Sequence, residues 1–277
     1  MYKLAVLDID GTLIDDKGQV SKRTRDTIGR VQSNGGIVTI CTGRNIRKAM
    51  PVVLRAGIDV PFACIDGNIL YDPIKKQVVQ DLRLSREEIN FIIDAAMEED
   101  AFVELCDGDK YYKYAKKEEL YQYDVFNKRT LLGRVRSHFG GIRYSGSLEE
   151  MRRLVDPIYQ IVIGTDPKTR ETIKNKILQN NCERIEVRDY LWDKFLFINQ
   201  KDAKKSKGVE ALCRYFGVTV EETVTIGDER NDIDMLEMAG MGVAMGNAVE
   251  SVKSVADYIT LTNNEDGAAA ALEKFFL

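Results

Sequence analysis

The order of three short apolar runs constrains the fold of this chain most. The runs are Leu4–Leu7, Ile37–Cys41 and Phe62–Ile65, and helix-like stretches separate them. Short, continuously apolar runs are typical of strands that are buried on both faces of a sheet. Because strands and helices alternate, the sequence predicts a parallel, doubly wound (Rossmann-like) α/β sheet.

The character of the chain changes after residue 82. Residues 83–199 hold eight of the twelve tyrosines and the only tryptophan, and they mix helix-like with strand-like stretches. The α/β alternation returns after Lys201. We therefore predict a core formed by residues 1–82 and 200–277, and an inserted α+β domain formed by residues 83–199.

Charge and composition exclude several classes of partner and site. The net charge of −4 argues against nucleic acid or an anionic membrane surface as the main partner. No stretch approaches the roughly 18 apolar residues that a membrane-spanning helix needs, and the N-terminus lacks the features of a signal peptide. A cytoplasmic protein with buried free thiols is expected. His138 is the only histidine, which excludes a multi-histidine zinc site.

Two aspartates follow the first predicted strand. Asp8 and Asp10 lie two residues apart, before Gly11, and should project to the same side because side chains alternate along a strand. They come at the carboxyl end of the strand, where open α/β sheets bind ligands. Two crowded carboxylates repel each other unless they share a cation or a proton.

A second acidic cluster follows the predicted strand at residues 223–226. Asp228, Asn231 and Asp232 lie within five positions, which gives an oxygen-rich group at an equivalent strand end. Hard oxygen ligands suit Mg²⁺. The sequence therefore predicts that this cluster and the first one hold a magnesium ion.

Two further segments can bind phosphate. Thr42, Gly43 and Arg44 end the second strand and open a helix, so a hydroxyl, a glycine amide and a helix N-terminus come together. Lys207 opens the helix before the acidic cluster and can balance phosphate charge. Taken alone, each of these segments is also compatible with a helix cap or a solvated helix face.

The four segments together resemble the haloacid dehalogenase-like superfamily, in its Cof-type (subfamily IIB) branch. By this resemblance Asp8 is the nucleophile and Asp10 the general acid and base, while Lys207 is the motif lysine. The resemblance implies that Asp8, Asp228 and the backbone carbonyl of Asp10 hold Mg²⁺.

The same resemblance assigns the phosphate-binding residues. Thr42, the Gly43 amide, Asn231, Lys207 and a backbone amide near Ile9 would orient the phosphate oxygens. Asp232 would support the metal's waters or the lysine. Residues 83–199 would form a C2-type cap over the site. Asp66 stands in a segment where the branch usually has asparagine, so no role is carried over to it.

The implied activity is magnesium-dependent hydrolysis of a small phosphorylated metabolite through an aspartyl-phosphate. Two alternatives use the same motifs: a phosphomutase, and a non-catalytic phosphate sensor. The glycine pattern at residues 240–246 does not open a helix, which argues against dinucleotide binding. The sequence does not select one substrate.

Overall fold

The structure is a computed structural model that describes residues 2–123, 141–154, 157–180, 183–190 and 194–277. The chain divides into two compact units, one formed by Met1–Asp81 with Ala203–Leu277 and the other by Leu82–Asp202. The sequence-based division set its boundaries at residues 82/83 and 199/200.

The strands and helices alternate in the first unit and are mixed in the second. In chain order the strands are β1 (Leu4–Leu7), β2 (Ile37–Ile40), β3 (Phe62–Cys64), β4 (Ile69–Asp72), β5 (Gln77–Asp81), β6 (Phe102–Cys106), β7 (Tyr111–Tyr114), β8 (Ile142–Tyr144), β9 (Gln160–Gly164), β10 (Ile185–Tyr190), β11 (Phe195–Gln200), β12 (Thr223–Gly227), β13 (Met241–Ala244) and β14 (Tyr258–Ile259). Within the described residues the helices are α1 (Lys22–Ser33), α2 (Ile46–Arg55), α3 (Arg86–Glu98), α4 (Leu148–Leu154), α5 (Pro167–Gln179), α6 (Lys205–Phe216), α7 (Ile233–Met238), α8 (Glu250–Lys253) and α9 (Gly267–Phe276).

The first unit contains the predicted parallel sheet. Its strand order is β14-β13-β12-β1-β2, and all neighbouring pairs are parallel. The chain moves outward from β1 to β2 in one direction, and from β12 to β14 in the other. The strand order therefore reverses between β1 and β12, and such a switch point leaves a crevice at the carboxyl ends of the strands. The doubly wound fold is confirmed.

Strand β3 continues this sheet only through one parallel bridge, between Cys41 and Ala63. Its main partners are antiparallel: β3, β4 and β5 form a three-stranded sheet. The sequence did not predict β5 because most of its residues are exposed, so the strand lacks the alternation of buried and exposed positions that indicates a strand.

The second unit is a six-stranded sheet of order β10-β11-β9-β6-β7-β8, antiparallel except for the pair β7–β8. One face of this sheet packs on helices. Its buried cluster combines Val103 and Ile161 of the sheet with Ile92 of α3 and Ile173 of α5. This unit is α+β, as predicted. Trp192 and His138 lie outside the described residues.

Two sequence-based expectations can be compared with the described residues. None of the helices in the described residues is long and apolar enough to cross a membrane. Within the same residues the cysteines are buried free thiols: Cys41, Cys64, Cys106 and Cys213. Cys182 lies outside them.

Candidate active site

The loop after β1 is shaped by a close approach of its backbone to Asp228. Residues Ile9–Leu13 form a turn that is closed by a 3.1 Å hydrogen bond from the Ile14 amide to the Ile9 carbonyl, and within it Asp10 is extended and Gly11 has φ +72°. A Cβ on Gly11 would lie 2.2 Å from Asp228 Oδ2, so only glycine fits there without a shift. Thr12 Oγ1 donates a hydrogen bond of 2.7 Å to Asp228 Oδ1. These two contacts join the end of β1 to the end of β12.

A buried lysine connects Asp8 with Asp232. Lys205 is the first residue of α6, and its Nζ donates to Asp8 Oδ1 at 2.7 Å and also to Asp232 Oδ1. All three side chains are buried. Asp232 also accepts 2.9 Å hydrogen bonds from the backbone amides of Asp228 and Glu229. It therefore fixes the lysine and the turn after β12 at the same time.

The structure does not bring Lys207, the predicted motif lysine, to Asp8. Lys207 lies on the outer face of α6, where its side chain is 46% exposed and pairs with Glu210. The side chain of Lys205 is only 1% exposed and reaches Asp8. Two residues correspond to about 200° of helix rotation, so the two lysines point in opposite directions.

The sequence does contain a signal for Lys205. Counting from Lys205, the buried residues Val209 and Leu212 follow at i+4 and i+7, which places all three on the inner face of α6. Lys207 lies instead on the same helix face as Arg214, which follows it by seven residues, and both residues are exposed. The helical phase of the apolar residues, used together with the motif, would have selected Lys205.

Burial changes the acidity of the carboxyl groups at the strand ends. Desolvation raises the pKa of Asp8 to about 7, against the opposing effect of Lys205. Desolvation also raises the pKa of Asp228 to about 6, against the hydrogen bond from Thr12. Burial acts to lower the pKa of Lys205, but the carboxylates of Asp232 and Asp8 outweigh it and raise that pKa, so the lysine stays cationic.

Three carboxylates could hold a metal ion. Asp8, Asp228 and Asp232 each offer an oxygen, and these oxygens lie within 4.8 Å of one another. Such a set of hard oxygen donors fits Mg²⁺. Asp232 is already committed to Lys205 and two amides, so Asp8 and Asp228 are the better candidates for direct ligands. The Asp10 carboxylate pairs with an arginine instead.

The partner of Asp10 is Arg44, which follows the predicted phosphate-binding pair Thr42 and Gly43. Arg44 Nε donates to Asp10 Oδ2 at 2.7 Å, and its Nη2 donates to Oδ1, so the pair is bidentate. The Asp10 side chain is 62% exposed, whereas that of Arg44 is 24% exposed. Thr42 is buried, and its Oγ1 accepts a 3.3 Å hydrogen bond from the Arg44 amide. The hydroxyl proton of Thr42 is then available to another acceptor.

Asn231 lies beside Asp66. Its Nδ2 donates to Asp66 Oδ1 at 2.9 Å. Asp66 Oδ1 would also lie 3.2 Å from a Cβ built on Gly43. Gly43 and Asn231 therefore both lie close to Asp66, a residue for which no role was predicted.

Residues from the C-terminal part hold the loop after β1. Asn247 Nδ2 donates to the Gly11 carbonyl at 2.9 Å, and Asn247 Oδ1 accepts from the Asn263 amide at 2.8 Å. The Val249 amide donates to the Asp228 carbonyl. No role for Asn247 was predicted from the sequence. Its contact with a backbone carbonyl carries no sequence signal of its own.

Known proteins share both the sequence and the fold of this chain. The family model for haloacid dehalogenase-like hydrolases matches residues 5–272. A Bacillus subtilis relative, 5-amino-6-(5-phospho-D-ribitylamino)uracil phosphatase YitU, is 27% identical over 99% of this chain and 97% of its own length. A haloacid dehalogenase-like hydrolase from Bacteroides thetaiotaomicron is 27% identical, with all of both chains covered and a TM-score of 0.81. A subclass IIB sugar phosphatase of the superfamily shares the fold at 24% identity, over 99% of this chain and 98% of its own, with a TM-score of 0.74.

The family match covers nearly the whole chain, including both units. Its span includes the ends of β1 and β12, where Asp8 and Asp228 lie, and the N-terminus of α6. Two of the relatives that match nearly the whole chain are named phosphatases, in agreement with the activity that the four motifs predicted. The chain belongs to the haloacid dehalogenase-like hydrolases, as a Cof-type phosphoric monoester hydrolase.

Proposed function

We propose that this protein is a magnesium-dependent phosphatase that hydrolyses small phosphorylated metabolites through an aspartyl-phosphate on Asp8. The observation that carries the proposal is the contact of the buried Asp8 carboxylate with the Lys205 ammonium, beside a set of carboxylates that fits Mg²⁺. A carboxylate that attacks a phosphate dianion needs nearby positive charge, because the two reacting groups repel each other.

The lysine and the metal would supply that charge. Lys205 is held from behind by Asp232, so its ammonium stays at Asp8 without rearrangement when an anion arrives. Bound Mg²⁺ would neutralise phosphate charge and help to orient the attacked group. Asp8 and Asp228 would hold the ion, together with the Asp10 carbonyl.

Neutral donors would orient the phosphate oxygens. Thr42 has a hydroxyl proton to donate, and Gly43 and Ile9 offer backbone amides. The Asn231 amide adds a further donor. Phosphoryl transfer depends chiefly on such positioning and on electrostatic stabilisation. The oxygen of Asp8 would form the new bond to phosphorus, while the bond from phosphorus to the ester oxygen breaks.

Asp10 would act as general acid and then as general base. In the first step it would protonate the leaving alcohol, and in the second it would take a proton from the water that hydrolyses the aspartyl-phosphate. The bidentate pair with Arg44 supports this role, because it fixes the direction of an otherwise exposed carboxylate. Arg44 would therefore be a positioning residue for the acid.

The name of one relative supports a substrate class. YitU is named for a phosphorylated ribitylamino pyrimidine, which is a small phosphate monoester on a sugar-like chain. Sugar phosphates and similar esters are therefore the first substrates to test. The protein would act on them in the cytoplasm, and nucleic acid would not be a partner. Residues 83–199 would act as the cap that selects among them.

A test compares ester hydrolysis with and without Mg²⁺. The full chain should release phosphate from p-nitrophenyl phosphate and from members of a panel of metabolite phosphates, and EDTA should stop the reaction until Mg²⁺ is restored. Absence of hydrolysis across the panel would contradict the proposal. Conversion of a hexose bisphosphate into an isomer would instead identify a mutase.

A further inference from the structure

Asp66 lies in a strained turn between two of the proposed phosphate-binding segments. Ile65 and Asp66 have φ values of 49° and 51°, in the left-handed region that non-glycine residues rarely adopt. The turn is held by hydrogen bonds: the Ile65 amide donates to the Arg44 carbonyl at 3.0 Å, and the Asp66 amide donates to the Thr42 carbonyl at 3.1 Å.

Close packing on the other side also holds the turn. A Cβ on Gly67 would lie 2.4 Å from the Lys204 carbonyl oxygen and 2.8 Å from the Gly208 amide nitrogen. The turn therefore lies directly against the start of α6, the helix that carries Lys205. The surrounding structure fixes a conformation that the residues themselves disfavour, and such strain is common at functional sites.

The carboxylate of Asp66 has two effects at this position. It accepts the hydrogen bond from Asn231 Nδ2, and so determines which way that amide faces. It also places a negative charge close to Gly43, where the amide would bind a phosphate oxygen. An anion that binds between Gly43 and Asn231 would be repelled by this charge, although the Asn231 donor would be correctly placed.

We propose that Asp66 controls how tightly the site holds phosphate: it positions the Asn231 amide, and its charge favours release of the product. This inference rests on the proposed function. Without the Asp66 side chain, the Asn231 amide would lose the acceptor that orients it. With a neutral residue of the same shape at position 66, the Asn231 amide would keep its orientation and phosphate would bind more tightly.

Two substitutions separate the two effects. Asp66→Asn removes the charge and keeps an oxygen that can accept from Asn231. Asp66→Gly removes both the charge and the acceptor. Asparagine and glycine both tolerate the left-handed conformation, so neither variant adds backbone strain. Asp59→Asn makes the same change of charge at an exposed position and serves as the matched control.

The experiment measures binding of inorganic phosphate to the magnesium-loaded full chain by calorimetry, and its inhibition of p-nitrophenyl phosphate hydrolysis. We expect Asp66→Asn to bind phosphate about tenfold more tightly than the wild type, as removal of one nearby charge would give. We expect Asp66→Gly to bind it at least about threefold more weakly than Asp66→Asn, the loss of one positioned hydrogen bond. Asp59→Asn should match the wild type.

Several results would overturn the proposal. Wild-type or weaker phosphate binding by Asp66→Asn would eliminate the effect of the charge, and equal binding by the two Asp66 variants would eliminate the positioning of Asn231. These outcomes leave the proposed function intact if the wild type hydrolyses esters. Conversely, a wild type that binds phosphate but hydrolyses no ester would contradict the proposed function, while the calorimetry still tests Asp66.

Discussion

Lys205 Nζ lies 2.7 Å from Asp8 Oδ1, and the same ammonium contacts Asp232 on its other side. Replacement of Lys205 by methionine should reduce kcat at least about a hundredfold, the magnitude seen when one preorganised electrostatic group is lost. The variant should also be less stable by about 3–5 kcal/mol, because two buried carboxylates lose their counter-charge. Steady-state kinetics and thermal unfolding measure the two effects.

Lys207 provides the matched control, since it belongs to the same helix and has the same chemistry. Lys207→Met removes only an exposed ion pair with Glu210, which is worth at most about 1 kcal/mol. Its kcat and KM should equal those of the wild type. If the Lys207 variant were the inactive one, the assignment of the lysine to Lys205 would be wrong.

Arg44 should matter most for substrates with a poor leaving group. In Arg44→Gln the Asp10 carboxylate loses its bidentate partner and its fixed direction. We expect kcat/KM for alkyl phosphates to fall about tenfold or more, part of the 10²–10⁴-fold that a general acid supplies. For p-nitrophenyl phosphate kcat/KM should change little, because nitrophenolate leaves without a proton. An equal loss for both substrates would indicate only a structural role.

Gly11 should tolerate no side chain. In Gly11→Ala the new Cβ would meet Asp228 Oδ2, and the residue would also be strained at φ +72°. Gly18 has φ +74°, and no atom of the described part of the chain lies within 4 Å of a Cβ built on it. Gly18→Ala should therefore lower the free energy of unfolding only by the backbone strain of the left-handed conformation, roughly 1–2 kcal/mol, and should keep full activity.

The difference between these two alanine variants measures the effect of the steric clash between a Cβ at position 11 and Asp228. Gly11→Ala should lose more stability than Gly18→Ala and should also lose Mg²⁺-dependent activity, because Asp228 must move. Unfolding and initial-rate measurements test both effects. Equal stability and retained activity in Gly11→Ala would show that the loop adapts, and the shape of the metal site would then not depend on this glycine.

Protons should compete with Mg²⁺ for the site. Burial raises the pKa of Asp8 to about 7 and that of Asp228 to about 6 in the metal-free protein. A raised carboxyl pKa means that the folded protein holds protons which the unfolded chain has already released, so these groups destabilise the metal-free fold progressively as pH rises from about 4 through about 7. Mg²⁺ must displace those protons below about pH 7.

The rise in melting temperature on addition of Mg²⁺ should therefore be larger at about pH 8 than at about pH 6. Lys205 and Asp232 face the same site, and the lysine stays cationic throughout this range. Asp228→Asn should abolish most of the Mg²⁺ effect at both pH values. A Mg²⁺ shift that is independent of pH in the wild type would contradict the assignment of Asp8 and Asp228 as ligands.

The sequence predicted the parts of the site that depend on strand ends. Asp8 and Asp228 end adjacent parallel strands, and in a doubly wound sheet these ends necessarily meet. The same reasoning placed Thr42 at the end of β2. The prediction named Lys207 from the motif sequence alone, but the phase of α6 decides which lysine faces inward, and Lys205 is the one that contacts Asp8.

Other features depend on contacts between distant segments. The pair of Asp10 with Arg44 and the contact of Asp66 with Asn231 join residues 34 and 165 positions apart. No local periodicity encodes such contacts. The β4–β5 hairpin was missed for a different reason, because most of the residues of β5 are exposed and the strand lacks an apolar face.

Covalent participation of Asp8 is the claim on which the function depends. The most direct measurement is mass spectrometry of the magnesium-loaded protein, quenched with acid during turnover of p-nitrophenyl phosphate. We predict a phosphoryl group on the peptide that contains Asp8, and neither this adduct nor turnover in Asp8→Asn. Turnover by Asp8→Asn, or a phosphoryl group on another residue of the active wild type, would contradict the mechanism.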